Sequence, residues 1–449
     1  MGRLFGTDGA RGVANKEITC ELAFKIGKAA AMVLTDIHGA KPRVLIGKDT
    51  RISGDMLESA IAAGLCSVGA DVVLLGVVPT PAVAFLVAEY ECDAAFMISA
   101  SHNPFEYNGI KIFRGDGYKL PDELENQIEA IILDEASVPP QPVGDGIGTV
   151  SVNKKAIGDY IEHLKNTVDV SFEGYNVGLD CSNGSASMSA CALFSSLGCK
   201  CSMIADKPDG VNINLNCGST HLDNLQKFVL DNKLDVGFAF DGDADRMLAV
   251  DENGELVDGD RIIAICAKYM KNENTLAQNT AVVTVMSNMG FTKFCEREGI
   301  FFESTKVGDR YVLECMKEHG YNLGGEQSGH VIFLDYSTTG DGQLTALQVL
   351  RIMKKTGKPL SVLASEMTVY PQTLINVRVS KIGKARYPDD EEIKLAIATA
   401  EKKLADKGRV LVRLSGTEPL VRVMLEGEDK KQIEMLANEI AEVIKLRLI

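Results

Sequence analysis

The feature that most constrains the fold is an alternation of short β-rich runs with amphipathic helical stretches. RVLIG (43–47) precedes a predicted helix at 54–69, and DVVLLGVV (71–78) precedes a predicted helix at 81–90. A third apolar run, AAFMI (94–98), follows at similar spacing. Runs of this kind are buried on both faces when helices cover a parallel sheet. The pattern therefore predicts βαβ units and a largely parallel sheet.

The alternation restarts twice along the chain. The further predicted elements are a helix at 123–133, strands at 175–180 and 234–240 around a helix at 185–198, and strands at 281–287 and 300–305 with helices at 289–298 and 309–319. Three strand-to-helix junctions, at 44–54, 177–184 and 282–290, each combine an apolar run, a polar turn and a glycine. This internal similarity predicts three related α/β units.

The tail differs from these units. Its predicted elements are a strand at 373–379, a charged helix at 391–405, strands near 409–414 and 420–425, and a final helix at 430–446. The predicted domains span 1–150, 151–254, 255–368 and 369–449, and the Pro/Gly-rich stretch 137–148 is expected to be a linker. The predicted fold class is α/β, with three similar α/β domains that have mixed, largely parallel sheets, plus a smaller C-terminal α+β domain.

The net charge of −15 narrows the range of partners. It disfavours nucleic acid and anionic membranes, and a phosphorylated ligand would need arginine and lysine concentrated at its site. The N-terminus lacks the apolar core of a secretory signal, and Pro-Thr-Pro interrupts the apolar stretch 72–88, so no membrane span is expected. Eleven cysteines without a CxxC pair predict reduced thiols in a cytoplasmic protein.

The strongest local signal is AFDGDADR, in which Asp241, Asp243 and Asp245 alternate directly after an apolar strand. Clustered carboxylates repel one another unless a cation lies among them, and oxygen ligands suit Mg²⁺, Mn²⁺ or Ca²⁺. An EF-hand loop is one alternative, but Arg246 stands where that loop needs glycine. A solvated acidic turn is the other alternative. We expect a catalytic Mg²⁺ site.

A second motif, VRLSGTEPLVRV (412–423), places a Ser-Gly-Thr turn between two apolar strands, with Arg413 and Arg422 beside it. Backbone N–H groups in such a turn can form an anion-binding nest, and arginine forks grip phosphate oxygens. The motif would supply the local positive charge that a phosphorylated ligand needs. An ordinary hairpin with exposed arginines is the alternative.

Two glycine-rich segments carry weaker signals. LGGEQSGHV (323–331) displays Glu326, Ser328 and His330 before a strand, which suits hydrogen bonding to sugar hydroxyls. FGTDGARG places Arg11 in a turn near the N-terminus. Taken alone, LGGEQSGHV would by default be interpreted as an ordinary polar loop.

The stretch ISASHNPFEYNGIKIF (98–113) follows a buried run with polar, turn-prone residues. It presents Ser101 beside His102, and Lys111 follows ten residues after the serine. A turn serine and a buried histidine would be the default interpretation. Together with a metal site, a phosphate clamp and a sugar-binding loop, a serine nucleophile makes a consistent set for phosphoryl transfer.

In their order and spacing, FGTDGARG, SASHNP, DGDADR, GEQSGH and RLSGTEPLVRV resemble the α-D-phosphohexomutase family over essentially the whole chain. GTDGARG, TKVGDRYV and GEQSGH are most similar to its bacterial branch that acts on glucosamine phosphate. The resemblance implies an active site in a central cleft. It also implies an isomerase that interconverts glucosamine 6-phosphate and glucosamine 1-phosphate, supplying UDP-N-acetylglucosamine and cell-wall synthesis. A phosphomannomutase or phosphoglucomutase of the same family is the alternative.

The resemblance also implies roles for individual residues. Ser101 would carry a phosphate, and one Mg²⁺ per chain would be held by a phosphoserine oxygen and the three aspartates. Arg11, His102, Lys111 and Arg246 would act beside Ser101 as cations or proton carriers. Lys111 is the leading candidate for general base, with Arg11 and His330 as rivals. The implied substrate-binding residues are Glu326, Ser328, His330, Arg413, Ser415, Gly416, Thr417 and Arg422.

A glucose or glucosamine 1,6-bisphosphate would be the intermediate and activator, and a homodimer would fit the family. Two other classes are less consistent with the residues. A phosphatase would need water to reach the enzyme phosphate, which a closed cleft opposes. A non-catalytic phosphosugar sensor would have lost the serine or an aspartate, yet Ser101, His102, Lys111 and the three aspartates are all present.

Overall fold

The structure is a computed structural model that describes residues 3–6, 8–34, 41–134, 137, 141–415 and 419–449. The chain divides into two compact units. The first contains residues Met1–Met286 and Ile300–Glu366, and the second contains Ser287–Gly299 and Met367–Ile449. The described residues form three sheets in the first unit and one in the second.

The first sheet has six strands. They are β1 (Ala10–Val13), β2 (Arg43–Lys48), β3 (Asp71–Val77), β4 (Ala94–Ile98), β5 (Tyr107–Arg114) and β6 (Val150–Val152). The order is β1-β5-β4-β2-β3-β6, in which β5 is antiparallel to both neighbours and the pairs from β4 to β6 are parallel. The accompanying helices are α1 (Cys20–Leu34), α2 (Gly54–Cys66), α3 (Thr80–Glu89) and α4 (Asp122–Leu133). Strand β4 is buried along its whole length, as expected for a central strand covered on both faces.

The second sheet repeats this plan with five strands. They are β7 (Asn176–Asp180), β8 (Lys200–Ile204), β9 (Val236–Phe240), β10 (Met247–Asp251) and β11 (Leu256–Val257), in the order β11-β10-β9-β7-β8. Strand β7 is parallel to β8 and β9, whereas β10 is antiparallel to β9. The helices are α5 (Ala156–Lys165), α6 (Ala190–Ser196) and α7 (Asp223–Asn232).

The third sheet has four strands. They are β12 (Thr280–Thr284), β13 (Phe301–Thr305), β14 (Leu323–Gly325) and β15 (Val331–Phe333), in the order β13-β12-β14-β15. Only the β14–β15 pair is antiparallel among the described strands of this sheet. The helices of this region are α8 (Gly259–Asn272), α9 (Met289–Glu298), α10 (Asp309–His319), α11 (Gly342–Thr356) and α12 (Leu360–Ala364), of which α9 folds with the second unit.

The second unit is built on an antiparallel sheet. Its strands are β16 (Gln372–Arg378), β17 (Gly408–Leu414) and β18 (Leu420–Gly427), in the order β16-β18-β17. The helices are α13 (Lys381–Arg386), α14 (Glu391–Leu404) and α15 (Lys430–Leu448). Glu426 is buried in β18 and accepts hydrogen bonds from the Met289 N–H at 2.9 Å and from Arg409 Nε at 2.6 Å. This carboxylate therefore ties the start of α9 to the C-terminal sheet.

The predicted fold class is confirmed: three α/β regions with mixed sheets precede an antiparallel C-terminal region. The single helix predicted at 185–198 is wrong. A short 3₁₀ turn, Ser185–Met188, precedes α6, because Ser189 departs from helical geometry with φ −126° and ψ −39°. The described part of 137–148 carries a 3₁₀ turn at Gly144–Gly146, and 138–140 lies outside the described residues.

The apolar stretch 72–88 forms most of β3, a turn and most of α3, as predicted. Among the described helices, none combines the length and apolar character needed to cross a bilayer. All eleven cysteines lie in the described part of the chain and are free thiols.

Candidate active site

Ser101 lies in the turn that follows β4 and is 2% exposed. Its backbone adopts a left-handed conformation with φ +52°, which is uncommon for a residue with a side chain. Ser101 Oγ donates a hydrogen bond to Asp241 Oδ2 at 2.6 Å and lies 3.3 Å from His102 Nδ1. Two motifs 140 positions apart in the chain therefore meet at this hydroxyl.

The three aspartates of DGDADR lie in the turn between β9 and β10 and are all buried. One carboxylate oxygen from each lies within 4.8 Å of the others. Asp243 Oδ1 and Asp245 Oδ1 are buried without a hydrogen-bond partner among the described residues. A buried carboxylate oxygen without a donor is costly unless a cation coordinates it. The oxygen-only donor set and these two free oxygens fit a hard divalent cation such as Mg²⁺.

The three carboxylates do not ionise alike. Burial, Asp245 and Asp243 together raise the pKa of Asp241 well above its usual value. Burial also opposes ionisation of Asp245, but Lys111 and His330 lower the pKa of Asp245 well below its usual value. A bound dication would favour ionisation of all three carboxylates.

Lys111 reaches this cluster from β5, where it pairs with Met97 of β4. The side chain is 1% exposed, and Nζ lies 2.8 Å from Asp243 Oδ2, 3.3 Å from Asp245 Oδ2 and 3.1 Å from Asp8 Oδ2. Burial would lower the pKa of Lys111, but these carboxylates raise it well above its usual value. In this state the ammonium group is a fixed cation, and its role as general base stays a prediction. Strand β5 itself was missed from the sequence, because its apolar residues follow the polar stretch SHNPFEYN.

Asp8 was not identified from the sequence, although it belongs to FGTDGARG. It accepts from Arg11 Nη2 at 2.8 Å and from Lys119 Nζ at 2.5 Å. Lys119 also lies 2.5 Å from Asp309, at the start of α10. Burial opposes ionisation of Asp8, but Lys111 and Lys119 lower the pKa of Asp8. The side chains thus form a chain of alternating charges between the N-terminal segment and α10.

His102 lies beside Ser101, and Arg246 lies beside Asp241. Burial, Arg246 and Arg11 lower the pKa of His102 to about 4, so the imidazole is neutral at neutral pH. Of the two roles expected for His102, cation and proton carrier, a neutral ring is suited to the second. The Arg246 N–H donates to Asp241 Oδ1 at 3.1 Å. Burial opposes the charge on Arg246, but Asp245 and Asp241 raise the pKa of this guanidinium.

The loop between β14 and β15 presents Glu326 and Ser328, both half-buried. The Gly259 N–H donates to Gln327 O at 3.0 Å, and the Met247 N–H donates to Gly329 O at 3.0 Å, which fixes the loop backbone. Glu326 Oε1 accepts from the Gly308 N–H at 3.1 Å. A rigid loop with a carboxylate and a hydroxyl can orient the hydroxyls of a sugar.

His330 is placed differently from its two companions in that motif. It is 2% exposed, with Nδ1 3.7 Å from Asp245 Oδ1, and Nε2 accepts from the Gly340 N–H at 3.1 Å. Burial would lower the pKa of His330, but Asp245 and Asp309 raise it. The buried ring therefore lies beside Asp245 of the aspartate cluster and beside Asp309.

In the second unit, Arg413 of β17 and Arg422 of β18 are direct cross-strand partners. Burial and Arg422 lower the pKa of Arg413. Like charges in this arrangement repel, and a bound anion would relieve the repulsion. Ser415 is 3% exposed, and its N–H donates to Leu420 O at 2.9 Å. The predicted ligands Gly416 and Thr417 lie outside the described residues.

Four family models of phosphoglucomutase/phosphomannomutase domains match the chain in order. Domain I matches residues 2–138, domain II matches 158–254, domain III matches 258–370, and the C-terminal domain matches 374–443. The family resemblance drawn from the five sequence motifs is thereby confirmed.

Individual relatives give the same result. The phosphoglucosamine mutases of Ruminiclostridium cellulolyticum and Acetivibrio thermocellus are each 55% identical over 448 residues, covering 100% of both chains. A phosphoglucomutase/phosphomannomutase family protein from Burkholderia thailandensis is 25% identical, with a TM-score of 0.83 over 99% of this chain and 98% of that one.

A more distant structure shares the fold. The N-acetylphosphoglucosamine mutase of Aspergillus fumigatus, in complex with GlcNAc-6P and magnesium, is 17% identical, with a TM-score of 0.69 over 99% of this chain and 96% of that one. With its four domain matches and its full-length relatives, this chain belongs to the phosphoglucomutase/phosphomannomutase family.

Proposed function

We propose that this chain interconverts glucosamine 6-phosphate and glucosamine 1-phosphate by carrying a phosphoryl group on Ser101. The observation that carries the proposal is the 2.6 Å hydrogen bond from Ser101 Oγ into the buried aspartate cluster. The preference for glucosamine rests on full-length relatives at 55% identity that are phosphoglucosamine mutases.

In the first half-reaction, the phosphorus–Oγ bond of phosphoserine 101 breaks as a bond forms from phosphorus to O1 of glucosamine 6-phosphate. The O1 hydroxyl loses its proton, and Ser101 Oγ regains one. The product is glucosamine 1,6-bisphosphate, which then turns around. In the second half-reaction the bond from phosphorus to O6 breaks as a bond forms from phosphorus to Ser101 Oγ. Ser101 Oγ loses its proton, O6 takes one up, and glucosamine 1-phosphate leaves. The sum is an isomerisation.

The residues around Ser101 supply charge and proton movement. Lys111, Arg11 and Arg246 would offset the negative charge of the transferring group, because phosphoryl transfer depends mainly on positioning and electrostatics. The neutral His102 ring is a candidate to pass the proton to and from Ser101 Oγ, from which it lies 3.3 Å away. Lys111 remains our candidate for general base, a role in which it would first have to lose the proton that the surrounding carboxylates stabilise. Both Arg11 and His330 remain rivals.

One divalent cation would be held by Asp241, Asp243, Asp245 and an oxygen of phosphoserine 101. When bound, Mg²⁺ neutralises negative charge on the transferring phosphoryl group, and Mn²⁺ suits the same oxygen ligands. The chain's own contribution is to hold three carboxylates together in a buried turn with two oxygens left free.

The substrate would be gripped at two further places. Glu326 and Ser328, with His330 behind them, would orient sugar hydroxyls. Arg413 and Arg422, with the loop residues Ser415, Gly416 and Thr417, would hold the phosphate that does not react. The facing arginines support this assignment, because bidentate guanidinium contacts suit phosphate oxygens.

We propose four domains, at 1–150, 151–254, 255–368 and 369–449, and a cytoplasmic homodimer that acts on a small phosphosugar. A hexose 1,6-bisphosphate would prime the enzyme by phosphorylating Ser101. Sedimentation velocity of the purified chain would test the dimer.

Mass spectrometry of the purified protein tests the central claim. Peptide mapping of 98–113, after incubation with a hexose 1,6-bisphosphate, should find one phosphate on Ser101, and glucosamine 6-phosphate should remove it. Failure of Ser101 to take phosphate under these conditions would contradict the mechanism. Parallel assays with the 6-phosphates of glucosamine, glucose and mannose would then measure the sugar preference.

A further inference from the structure

Arg51 is a buried arginine, and four of its five side-chain N–H donors point at one loop. It follows β2, and its side chain is 0% exposed. A guanidinium has five N–H donors. Nε donates to Asp49 Oδ2 at 2.9 Å. The four others go to backbone carbonyls of the Ser101 loop: Ser101 O at 2.9 Å, Asn103 O at 2.8 Å, Tyr107 O at 3.1 Å, and Pro104 O.

The partner of Arg51 holds the other side of Ser101. Asp49 Oδ2 accepts from Ser99 Oγ at 2.6 Å, and Ser99 Oγ accepts from the Ser101 N–H at 2.9 Å. Asn214 Nδ2 adds a second donor to Ser101 O at 2.9 Å. Both backbone polar groups of Ser101 are therefore held by side chains.

This arrangement has a physical reason. A serine at φ +52° is in a strained conformation, which persists only where the surroundings over-determine it. The strain keeps Oγ aimed at Asp241. A phosphoserine loop must also keep its shape while the side chain gains and loses two negative charges. Four bonds from one buried cation to the loop, with the Asp49 carboxylate neutralising that cation, meet this requirement without touching the reacting atoms.

We propose that Arg51 is a positioning residue for phosphoryl transfer: it fixes the loop from Ser101 to Tyr107 so that Ser101 Oγ keeps its direction toward the aspartate cluster. This inference rests on the proposed function. Arg51 contacts no substrate in the proposal and acts only through the backbone of the loop, with Asn214 in support.

The first test is Arg51→Lys, which keeps the charge beside Asp49 but offers three donors in place of five. We expect kcat to fall about 100-fold, the loss that a displacement of roughly 1 Å can cause, while KM for glucosamine 6-phosphate stays within about twofold. Hydrogen–deuterium exchange in the peptide 98–113 should become faster. The matched control is Arg351→Lys, at an arginine paired with Asp169 on the surface, and it should change neither quantity.

A second variant covers the case in which Arg51→Lys does not fold. Asn214 has φ +59°, so Asn214→Gly removes the amide donors without straining the backbone. We expect kcat to fall about tenfold, because the loop loses two hydrogen bonds from Asn214, to Ser101 O and Asn103 O, at a strained site. Wild-type kcat in both folded variants would overturn the inference, because a merely structural role lowers the melting temperature and not the rate per folded molecule.

The exchange measurement separates this inference from the proposed function. If the wild-type chain fails to turn over glucosamine 6-phosphate, the proposed function is wrong, but exchange in 98–113 can still be compared between the folded variants. Unchanged exchange in Arg51→Lys, or in Asn214→Gly if only that variant folds, would overturn the positioning role. Faster exchange confined to this loop would support it.

Discussion

The two regions to which we assign phosphate are built in opposite ways. Around Ser101 the protein itself supplies hydrogen-bond partners before any substrate binds. All five side-chain donors of Arg51 are used, and side chains form hydrogen bonds with both backbone polar groups of the serine. On β17 and β18, Arg413 and Arg422 instead face each other as like charges. A loop that carries its phosphate covalently benefits from rigidity, whereas a site that captures a mobile phosphate benefits from two neighbouring positive charges.

The largest effect should come from removing the Ser101 hydroxyl in the rigid loop. Ser101→Ala should lower turnover on the order of 10⁴-fold or more, because no other group can carry the phosphoryl between half-reactions. Initial rates with glucosamine 6-phosphate and a hexose bisphosphate would measure it. Ser67→Ala, which loses only a local bond to Gly64 O, is the control. Turnover within tenfold of the wild type would remove Ser101 from the mechanism.

The next effect concerns the alternating charges beside the serine. Lys119→Met should destabilise the protein by about 3 kcal/mol, because Asp8 and Asp309 lose the cation that both contact. Lys445→Met, which breaks an exposed pair with Glu442, should cost less than about 0.5 kcal/mol. Urea unfolding of the three proteins would measure both. Adding Asp309→Asn to Lys119→Met should restore part of the loss, and no restoration would argue against carboxylate repulsion as its cause.

At the facing arginines of β17 and β18, Arg413→Gln should raise KM for glucosamine 6-phosphate roughly 10- to 100-fold and change kcat little. An increase of this size corresponds to the loss of one or two charge-assisted hydrogen bonds. The same variant should be as stable as the wild type or more stable, by up to about 1 kcal/mol, because repulsion from Arg422 is removed. Steady-state kinetics and thermal unfolding together check this opposite pair of effects. A clear loss of stability with unchanged KM would erase the contrast between the two regions.

The smallest effect is a pH dependence at His102. Its pKa is lowered from 6.5 to about 4 in the folded, unphosphorylated protein, so the unfolded chain binds more protons between these values. His102 therefore contributes stability above pH 6.5 that is lost as the pH falls toward 4. Compared with His102→Asn, the metal-free wild type should lose on the order of 1–2 kcal/mol over this range, after allowance for solvent screening. Equal pH profiles would contradict the lowered pKa.

Much of the fold could be predicted from the sequence because its signals are local. The buried runs at β2, β4 and β9 are nearly continuous apolar stretches bounded by polar turns. The prediction of a single helix at 185–198 was wrong because the backbone angles of Ser189 interrupt the helix. The neighbouring residues in the sequence do not reveal those angles. Strand β5 was missed because it follows a proline-containing loop and pairs with β4 in the antiparallel direction, outside the βαβ pattern.

Only those residues of the candidate site that lie within short sequence motifs could be predicted. Ser101 and the three aspartates are recognisable because their motifs combine several chemical groups within a few residues. Arg51 and Asn214 carry no such signal, since Arg51 lies 50 positions from Ser101 and Asn214 lies 113 positions away. Lys119 joins Asp8 and Asp309 across 111 and 190 positions. Contacts over these separations exist only once the chain has folded.

The path of the chain through Ser287–Gly299 limits how this protein could be dissected or recombined. The chain passes into the second unit after Met286, returns at Ile300, and enters it again after Glu366. A single proteolytic cut at any one of these three connections would give two fragments, and at least one of them would contain residues of both units. A gene truncated after Glu366 would deprive α9 of Glu426, the carboxylate that accepts a hydrogen bond from the N–H of Met289, the first residue of the helix. Exchange of the C-terminal region between relatives must therefore move α9 with it.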